Sequence, residues 1–413
     1  MDKAIKTPIP SGGLGWSAIG EEEIGAVTAL LRNPERLWRY REDSESGSFE
    51  RELRETLGVR HALMVNSGTS ALSCCLAGLG VGAGDEVIVQ GYTYVATASS
   101  CMDVGAVPIV AEIDGSLGLD PADVERKVTP RTKAVIMAHM QGVPGRIEAV
   151  RETAKKHGLY MVEDCCQAIG ARYLGEHVGV RSDAFAWSLN FFKNITCGEG
   201  GVFFTDRDDV FQGGFCQSDP ASALWKDRPA SAGSVPGRYF SKGCYRSNEI
   251  CAAVARAQLK KLEGMLGATR RLKARLLSEL EAPRHYVLQH VDDPEGDCGI
   301  SCALIVGSAE EYGPFTARLA EEGLPVGAAY KESFPDRHIY CYWDALYQAD
   351  AGNPHIYPWN SPLYGGSPDY RRDMCPRTLD ILSRSLRIPI HPGLSGRNVS
   401  EMALAINRAD ASF

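Results

Sequence analysis

The sequence lacks a long apolar run, an excess of positive charge and paired cysteine motifs. No apolar stretch approaches the roughly 20 residues that a membrane-spanning helix needs. Lysine and arginine number 44 against 52 aspartate and glutamate, a net charge of −8, so we do not expect binding to nucleic acid or to an anionic membrane. The 13 cysteines form no CxxC pair, which argues against a structural zinc site. The N-terminal segment MDKAIKTPIPSGGLG has no apolar signal core, so we expect a reducing, cytoplasmic setting.

The composition is that of an ordinary globular protein. The 413 residues are 44% hydrophobic and 23% charged, and they contain no internal repeat and no low-complexity tract. This length provides material for two or three domains. We therefore expect the partner to be a small molecule or a second copy of the chain.

The segment from about residue 60 to 205 alternates short apolar, β-branched runs with helix-like segments. This alternation predicts an α/β domain with a mostly parallel sheet, and runs that are apolar on both faces indicate strands covered by helices on both sides. The predicted strands are His61–Val65, Glu86–Val89, Val107–Glu112, Ala134–Ala138, Tyr160–Glu163, Ala184–Ser188 and Val202–Thr205. The predicted helices are Ser70–Leu79, Pro121–Lys127 and Ile147–His157.

The pattern changes after this segment. Residues 206–243 are rich in Gly, Pro, Ser and Asp and are predicted to form one long loop at an active site or an interface. A helix from Glu249 to Leu262, continuing to about Glu281, leads to a smaller C-terminal domain. Residues 331–373 hold many aromatic, Pro and Gly residues, which could form a substrate-facing loop or irregular core.

Lys193, in the segment SLNFFKNITCGEGG, follows a predicted strand and precedes a glycine-rich turn. Most lysines are exposed, so a solvated loop lysine is one interpretation. A desolvated lysine amine can instead form a Schiff base with a carbonyl, and pyridoxal phosphate is the commonest cofactor bound in this way. That cofactor also needs a phosphate site, a carboxylate at its pyridine nitrogen and a flat group over its ring.

All three of these groups have candidates. Ser67-Gly68-Thr69 follows a strand and opens a helix, so its amides and the helix dipole could bind a phosphate, although an ordinary N-cap would look the same. Asp164 ends the strand YMVED and could pair with a protonated ring nitrogen, or it could be a cap or turn residue. Tyr94 follows the second strand and could stack on the ring or belong to the core.

The order of these features, a phosphate turn, an aromatic residue, a carboxylate, a serine and then a lysine, matches one family. From about residue 14 to 265 the chain resembles the DegT/DnrJ/EryC1/StrS aminotransferases, fold-type I pyridoxal-phosphate enzymes that act on nucleotide sugars, aminocyclitols and related keto sugars. The matching segments include NSGTSAL (66–72), GAGDEVIVQGYTYVATA (82–98), EDCCQAIGARYLGEHVGVRSDAFAWSLNFFKNITCGEGG (163–201) and YRSNEICAAVARAQLKKL (245–262).

The resemblance implies an α/β fold of the aspartate aminotransferase type. A large pyridoxal-phosphate-binding domain at 14–265 would contain a mostly parallel seven-stranded sheet. A smaller α+β domain would follow at 266–413, and residues 1–13 would form an N-terminal arm. The family also implies a homodimer with its active sites at the subunit interface.

The resemblance further implies a role for each matching residue. Lys193 would bind the cofactor covalently and then shuttle the proton between the substrate carbon and the cofactor carbon. Asp164 would pair with the pyridine nitrogen, Tyr94 would stack on the ring, and Gln167 would lie near the phenolic oxygen. The phosphate would be held by Gly68, Thr69 and Ser188. Family members that became sugar dehydratases have histidine at the lysine position, so a transaminase is favoured here.

The chain departs from the family where an asparagine of the neighbouring subunit commonly reaches the cofactor phosphate. Here the segment reads Gly243-Cys244-Tyr245-Arg246, and a thiol is a poor substitute for an amide. Either Asn248 or Arg246 replaces that asparagine, or the contact is lost.

Several further residues could contact a substrate. Arg246 and Arg172 are candidate anchors for an anionic substrate, because a guanidinium binds carboxylate in a bidentate fork; surface ion pairs are the alternative for both. Four C-terminal residues could also contact the substrate or could be core or surface groups: His338, Trp343, His355 and His391.

We therefore predict an aminotransferase that moves an amino group from L-glutamate or L-glutamine to a keto sugar or cyclitol. The segment DDPEGD (292–297) and the ITCGEGG turn resemble the branch that aminates C8 of the octulosonate sugar Kdo, although secondary-metabolite relatives could share them. One alternative is a lyase, cyclase or oxygen-using enzyme with the same cofactor, because fold and cofactor do not fix the reaction. Another is a non-catalytic relative that acts as a sensor or scaffold.

Overall fold

A computed structural model describes residues 3–219, 243–324, 326, 330, 335–347 and 357–412. Its strands are β1 (His61–Val65), β2 (Glu86–Gln90), β3 (Val107–Ala111), β4 (Thr132–Ala138), β5 (Tyr160–Asp164), β6 (Arg172–Tyr173), β7 (Glu176–His177), β8 (Ala184–Ser188), β9 (Gly201–Thr205), β10 (Tyr286–Leu288), β11 (Ser301–Val306) and β12 (Ser385–Pro389). Its helices are α1 (Leu14–Ser17), α2 (Glu21–Leu31), α3 (Glu45–Leu57), α4 (Gly68–Gly78), α5 (Ala96–Val104), α6 (Pro121–Lys127), α7 (Ile147–His157), α8 (Asp208–Ser218), α9 (Glu249–Leu259), α10 (Leu262–Glu279), α11 (Ala309–Glu321), α12 (Pro376–Ser383) and α13 (Gly396–Asp410).

Seven strands form one mostly parallel sheet, in the order β1-β9-β8-β5-β4-β2-β3. The pairs β2–β3, β2–β4, β4–β5 and β5–β8 are parallel, whereas β9 is antiparallel to both of its neighbours, β1 and β8. Separate clusters of buried apolar side chains cover its two faces. This arrangement confirms the predicted fold class, and all seven predicted strands are present to within two residues at each end.

The register of the sheet places the ends of five strands side by side. Asp164 at the end of β5 lies opposite Ala138 and Ala186, and Ser188 at the end of β8 lies opposite Gly201. Gly201 also lies opposite Val65, the last residue of β1. Side chains that follow these strands therefore converge at one edge of the sheet, where open α/β sheets bind their ligands.

The prediction of a loop over all of residues 206–243 is wrong for Asp208–Ser218, which form helix α8. Three apolar residues of this helix, Val210, Phe211 and Phe215, are buried against the core that α4 also covers. Gly213 and Gly214 lower the helix propensity of the sequence, but Gly214 lets the helix approach Phe203 and Cys74 closely, so tertiary packing outweighs propensity. The rest of that predicted loop, residues 220–242, lies outside the described part.

The C-terminal part has its own antiparallel sheet, in the order β10-β11-β12, and its own buried apolar cluster with α10, α11 and α13. The backbone amide of Ala4 donates a hydrogen bond to the Glu322 carboxylate, and those of Lys6 and Thr7 donate to the Glu401 carboxylate, so the N-terminal segment packs on this part of the chain. The predicted domain boundary at 265/266 falls within α10 and stays a prediction.

Residues 335–347, within the aromatic-rich segment, are largely core. Ile339, Tyr340, Trp343 and Leu346 are buried there. Among the helices described, none combines the length and apolar character required to cross a lipid bilayer.

The packing of α8 can be tested with two glycine-to-alanine changes. A Cβ on Gly214 would meet the Phe203 ring and lie 2.9 Å from the Cys74 carbonyl oxygen, whereas a Cβ on Gly264 in α10 would meet nothing within 4 Å. We expect Gly214→Ala to lower the free energy of unfolding by about 1–3 kcal/mol. Gly264→Ala, the matched control, should raise it by about 0.5 kcal/mol. Denaturant unfolding measures both, and a Gly214→Ala protein as stable as the control would contradict this packing.

Candidate active site

A cavity of about 590 Å³ opens at this edge of the sheet. It brings together eight of the residues singled out from the sequence: Gly68, Thr69, Tyr94, Asp164, Gln167, Ser188, Lys193 and His338. Seven of them lie at the ends of strands or shortly after them, so the sheet register described above brings these together, whereas His338 comes from the segment 335–347.

One end of the cavity is the N-terminus of helix α4. Ser67 caps this helix, its hydroxyl accepting a hydrogen bond from the Ser70 amide at 3.1 Å, so the helix begins at Gly68 and not at the predicted Ser70. The first amides of a helix have no acceptor within the helix, and the helix dipole favours an anion there. Ser188 lies directly beside this terminus, because a Cβ on Gly68 would be 2.6 Å from the Ser188 Cβ. A helix terminus of this kind is suited to binding a phosphate.

Lys193 lies in the loop between β8 and β9 and lines the same cavity. Within the described residues, no hydrogen bond or ion pair engages its amine. The loop backbone is held by Gly15 of α1, whose amide donates to the Lys193 carbonyl oxygen at 3.1 Å. A Cβ on Gly15 would be 2.7 Å from that oxygen, so the close approach of α1 depends on glycine. The backbone of the loop is therefore held in place, and the Lys193 side-chain amine can bind a ligand.

The Asp164 carboxylate is buried at the cavity wall and held by two donors. The Thr97 hydroxyl donates to its Oδ2 at 2.8 Å, and the Cys166 amide donates to its Oδ1 at 3.1 Å. The Thr97 hydroxyl is also 2.7 Å from that of Thr93. Burial, followed by the negative charge of Asp164, raises the pKa of the neighbouring Cys166 thiol well above its usual range, so this thiol stays protonated. Thr97 was not identified from the sequence.

Gln167 and Gln141 form the next part of the wall. The Gln167 side-chain oxygen accepts from the Gln141 amide at 3.1 Å, and Gln141 has a left-handed backbone with φ 57°. The Gln141 side chain donates to the Tyr92 hydroxyl at 2.5 Å, but its Oε1 is buried without a partner in the described structure. A buried polar atom without a partner, at the wall of a cavity, is suited to a ligand.

Tyr94 and His338 lie together at the cavity, with ring centroids 5.2 Å apart. The His338 Nδ1 lies 2.7 Å from Asp336 Oδ1, which also accepts from the His338 amide at 2.9 Å. Burial opposes ionisation of Asp336, but these hydrogen bonds outweigh it and lower the pKa of the carboxyl. An ionised Asp336 places the ring proton on Nδ1 and leaves Nε2 as an acceptor.

Arg387, in the middle of β12, is a cavity residue that the sequence analysis missed. Its neighbours Leu386 and Ile388 are buried, whereas Arg387 is on the opposite face and exposed. No hydrogen bond or ion pair engages its guanidinium within the described part of the chain. The alternation of apolar and polar residues in SLRIP could have indicated an outward-facing residue, but not that this face meets the cavity.

The other residues singled out from the sequence lie away from the cavity lining. Arg172 donates to the Gly175 carbonyl at 3.0 Å, and Asn248 caps α9 by accepting from the Cys251 amide at 3.0 Å. Arg246 donates to the Cys244 sulfur at 3.1 Å and lies 3.7 Å from Asp219, beside the end of β1. The Trp343 indole is buried and bonded to the Arg337 carbonyl, and His391 does not line the cavity. His355 lies outside the described residues.

These groups fit pyridoxal phosphate. The helix terminus with Ser188 suits its phosphate, and a buried carboxylate with two donors suits its ring nitrogen. A lysine amine that has no partner among the described residues suits its aldehyde. The close backbone contact at Gly68, which a larger residue would block, leaves the helix amides open to the cavity.

A sequence model described as the DegT/DnrJ/EryC1/StrS aminotransferase family matches residues 17–407. Among curated proteins, the chain is 37% identical to GDP-perosamine synthase from Vibrio cholerae over 233 residues, which are 56% of this chain and 61% of that protein. It is 38% identical to L-glutamine:2-deoxy-scyllo-inosose aminotransferase from Streptoalloteichus tenebrarius over 248 residues, 58% of this chain and 57% of that protein. The alignments thus span about three fifths of these two relatives.

One solved structure is similar to this chain over nearly its whole length. The crystal structure of 3-amino-5-hydroxybenzoic acid synthase superimposes with a TM-score of 0.76 and 27% sequence identity, covering 96% of this chain and 97% of the other. The fold type predicted from the sequence is therefore confirmed.

The support of Asp164 by Thr97 can be tested with two substitutions. Thr97→Val keeps the shape of the side chain but removes the hydroxyl, leaving Asp164 Oδ2 without that donor, so we expect a loss of about 1–3 kcal/mol in the free energy of unfolding. Weaker binding of pyridoxal phosphate, followed by absorbance, should accompany it. Thr97→Ser keeps the hydroxyl and is the control. Equal stability and affinity for the Val and Ser variants would contradict this role.

Proposed function

Since the chain belongs to the DegT/DnrJ/EryC1/StrS aminotransferase family, we propose that it transfers an amino group from L-glutamate or L-glutamine to a keto sugar or a cyclitol. The family is that of pyridoxal-phosphate-dependent aminotransferases, so the class of reaction and the cofactor follow from membership. The observation that carries the proposal is the position of Lys193: its amine has no partner among the described residues and lies in the same cavity as the buried Asp164 carboxylate and the α4 terminus.

The cofactor, when bound, supplies an electron sink that lets an amino group pass from one substrate to the next. Lys193 is the residue that we propose to bind it and to move a proton, with Nζ taking the proton from the donor's α-carbon and later returning one to the acceptor carbon. Asp164, fixed by Thr97 and Cys166, would hold the ring nitrogen. Tyr94 would cover the ring, and Gly68, Thr69 and Ser188 would hold the phosphate.

We assign binding of the donor's carboxylate to Arg387. Its guanidinium lines the cavity, and a carboxylate would gain two parallel hydrogen bonds from it. The unpaired Gln141 Oε1 lies in the same wall and can accept a hydrogen bond from an ammonium or hydroxyl group. This assignment replaces Arg246 and Arg172, the two anion anchors suggested by the sequence, because neither lines the cavity.

The acceptor that we propose is a polyhydroxylated ketone. Support comes from the relatives, whose names refer to a nucleotide sugar and to an inosose. His338, with Nε2 free to accept a hydrogen bond, is suited to a hydroxyl of such a substrate. The octulosonate acceptor stays a prediction, because neither of these two relatives is named for it.

We also propose that the enzyme is a homodimer whose second copy covers this cavity. Apolar side chains surround the Lys193 loop on the surface: Trp16 stacks on Phe191 with ring centroids 5.7 Å apart, and Phe192, which lines the cavity, is 77% exposed. Exposed aromatic clusters of this kind are typical of protein interfaces. Replacement of the family asparagine by Asn248 or Arg246 at such an interface stays a prediction. A cytoplasmic location also stays a prediction.

The donor half-reaction tests the proposed function without knowledge of the acceptor. Protein loaded with pyridoxal phosphate and mixed with L-glutamate or L-glutamine should release one keto acid per active site and then stop. Arg387→Gln should raise the donor concentration for half-maximal conversion by about 10–100-fold, the loss of one charged hydrogen-bonded contact. The matched control is Arg371→Gln, which removes an exposed arginine paired with Asp369. This change should leave the donor concentration for half-maximal conversion unchanged.

Two results would contradict the proposal. Turnover of a substrate without release of a keto acid from any amino donor would favour the lyase or cyclase alternative. Failure to bind pyridoxal phosphate at all would favour the non-catalytic one. An unchanged Arg387→Gln protein would reject only the assignment of the carboxylate site.

A further inference from the structure

A chain of buried polar side chains leads away from the cavity behind its wall. His139, which follows β4, lines the cavity and is almost completely buried. Its Nδ1 accepts a hydrogen bond from the Gly145 amide at 3.1 Å, so the ring proton is on Nε2. Nε2 lies 2.7 Å from Glu163 Oε2 and donates to it. Both ring nitrogens are thus engaged, and His139 presents a ring of fixed orientation to the cavity.

Glu163 has one oxygen with two donors and one with none. Oε2 accepts from His139 and, at 3.0 Å, from the Gly179 amide, whereas Oε1 is buried without a partner in the described structure. A buried carboxylate oxygen without a hydrogen bond is costly, so such atoms normally have a partner in protein or ordered water.

His177, near Glu163, has two more polar atoms without a partner in the described residues. His177 lies in β7 and is buried, and these two atoms are its ring nitrogens. Burial, followed by the positive charge of Arg172, lowers the pKa of His177 to about 4, so the ring is neutral and offers one donor and one acceptor.

Glu163 and His177 line the same small cavity, which has a volume of about 10 Å³. A cavity needs at least about 10–15 Å³ of space for the centre of a water-sized probe to hold one water molecule, so this cavity is at the lower limit for a single water, and a buried water needs two to four polar partners. The other residues lining it are Ile147, Tyr173, Glu176, Val178, Gly179 and Arg181. The carboxylate oxygen and the imidazole nitrogens therefore provide the acceptors and the donor that a water requires.

We propose that this small cavity binds one ordered water molecule that bridges Glu163 Oε1 to the His177 ring, forming a relay His177–water–Glu163–His139 that fixes the His139 ring at the active-site wall. Glu163 and His177 are then positioning residues, which act through His139. The relay is a property of the protein before any substrate binds, so its existence does not depend on the proposed reaction.

A high-resolution crystal structure of the full chain tests the site directly. We expect a solvent peak within hydrogen-bond distance of both Glu163 Oε1 and a His177 nitrogen. A dry cavity at a resolution where other buried waters are visible would overturn the proposal.

Thermal unfolding of two His177 variants distinguishes a hydrated cavity from a dry one, because the order of their melting temperatures is opposite in the two cases. If water bridges the two side chains, His177→Gln keeps a polar partner and should melt above His177→Leu, with the Leu variant about 2 °C or more below the wild type. If the cavity is dry, His177→Leu removes two unpaired buried nitrogens and should melt at or above the wild type, with His177→Gln lowest. The second order would overturn the proposal.

The effect on His139 needs a separate readout, which loss of packing alone would not change. In the cofactor-free protein with ¹⁵N-labelled histidine, NMR should show a slowly exchanging His139 Nε2 proton. Glu163→Gln should shift this resonance, and His177→Leu should shift it in the same direction by a smaller amount, with His177→Gln close to the wild type. An Nε2 resonance unaffected by His177→Leu would show that the relay does not reach the active site.

Discussion

The active site depends on the close approach of the start of α4 to the end of β8 and the start of β9. A Cβ on Gly68 would lie 2.6 Å from the Ser188 Cβ, and one on Gly201 would overlap the Ser67 carbonyl. Because both positions are glycine, the helix terminus can lie directly against the sheet edge with its amides facing the cavity. The same edge carries Asp164 at the end of β5 and leads into the Lys193 loop. One steric constraint thus sets the spacing of the phosphate site, the carboxylate and the amine.

The polar groups of the cavity differ in how the protein holds them. Asp164 is fixed by two hydrogen bonds, and His139 is fixed through both of its ring nitrogens. Lys193 and Arg387 have no such partners within the described residues. Rigid groups are suited to orienting a cofactor, whereas cations without partners are suited to ligands that arrive and leave. Substrate binding then replaces solvent around the cations and requires no ion pair to be broken.

The sequence predicted those parts of the structure that depend on local pattern. Strands buried on both faces gave continuous apolar runs, and Asp164 and Lys193 were identifiable because each follows such a run. Arg387 and Thr97 were not identified, because their role depends on contacts between β12, α5 and the sheet edge that lie far apart in the sequence. Helix α8 was not predicted because Gly213 and Gly214 lower the helix propensity of its sequence. The helix is stabilised by its packing on α4.

The central claim is that Lys193 is the residue to which the cofactor binds covalently. Borohydride reduction of the protein loaded with pyridoxal phosphate, followed by proteolysis and mass spectrometry, tests it most directly. The account predicts a single modified peptide carrying the label on Lys193, and no label in a Lys193→Ala protein that still folds. Stoichiometric label on another lysine of the wild type would contradict the account.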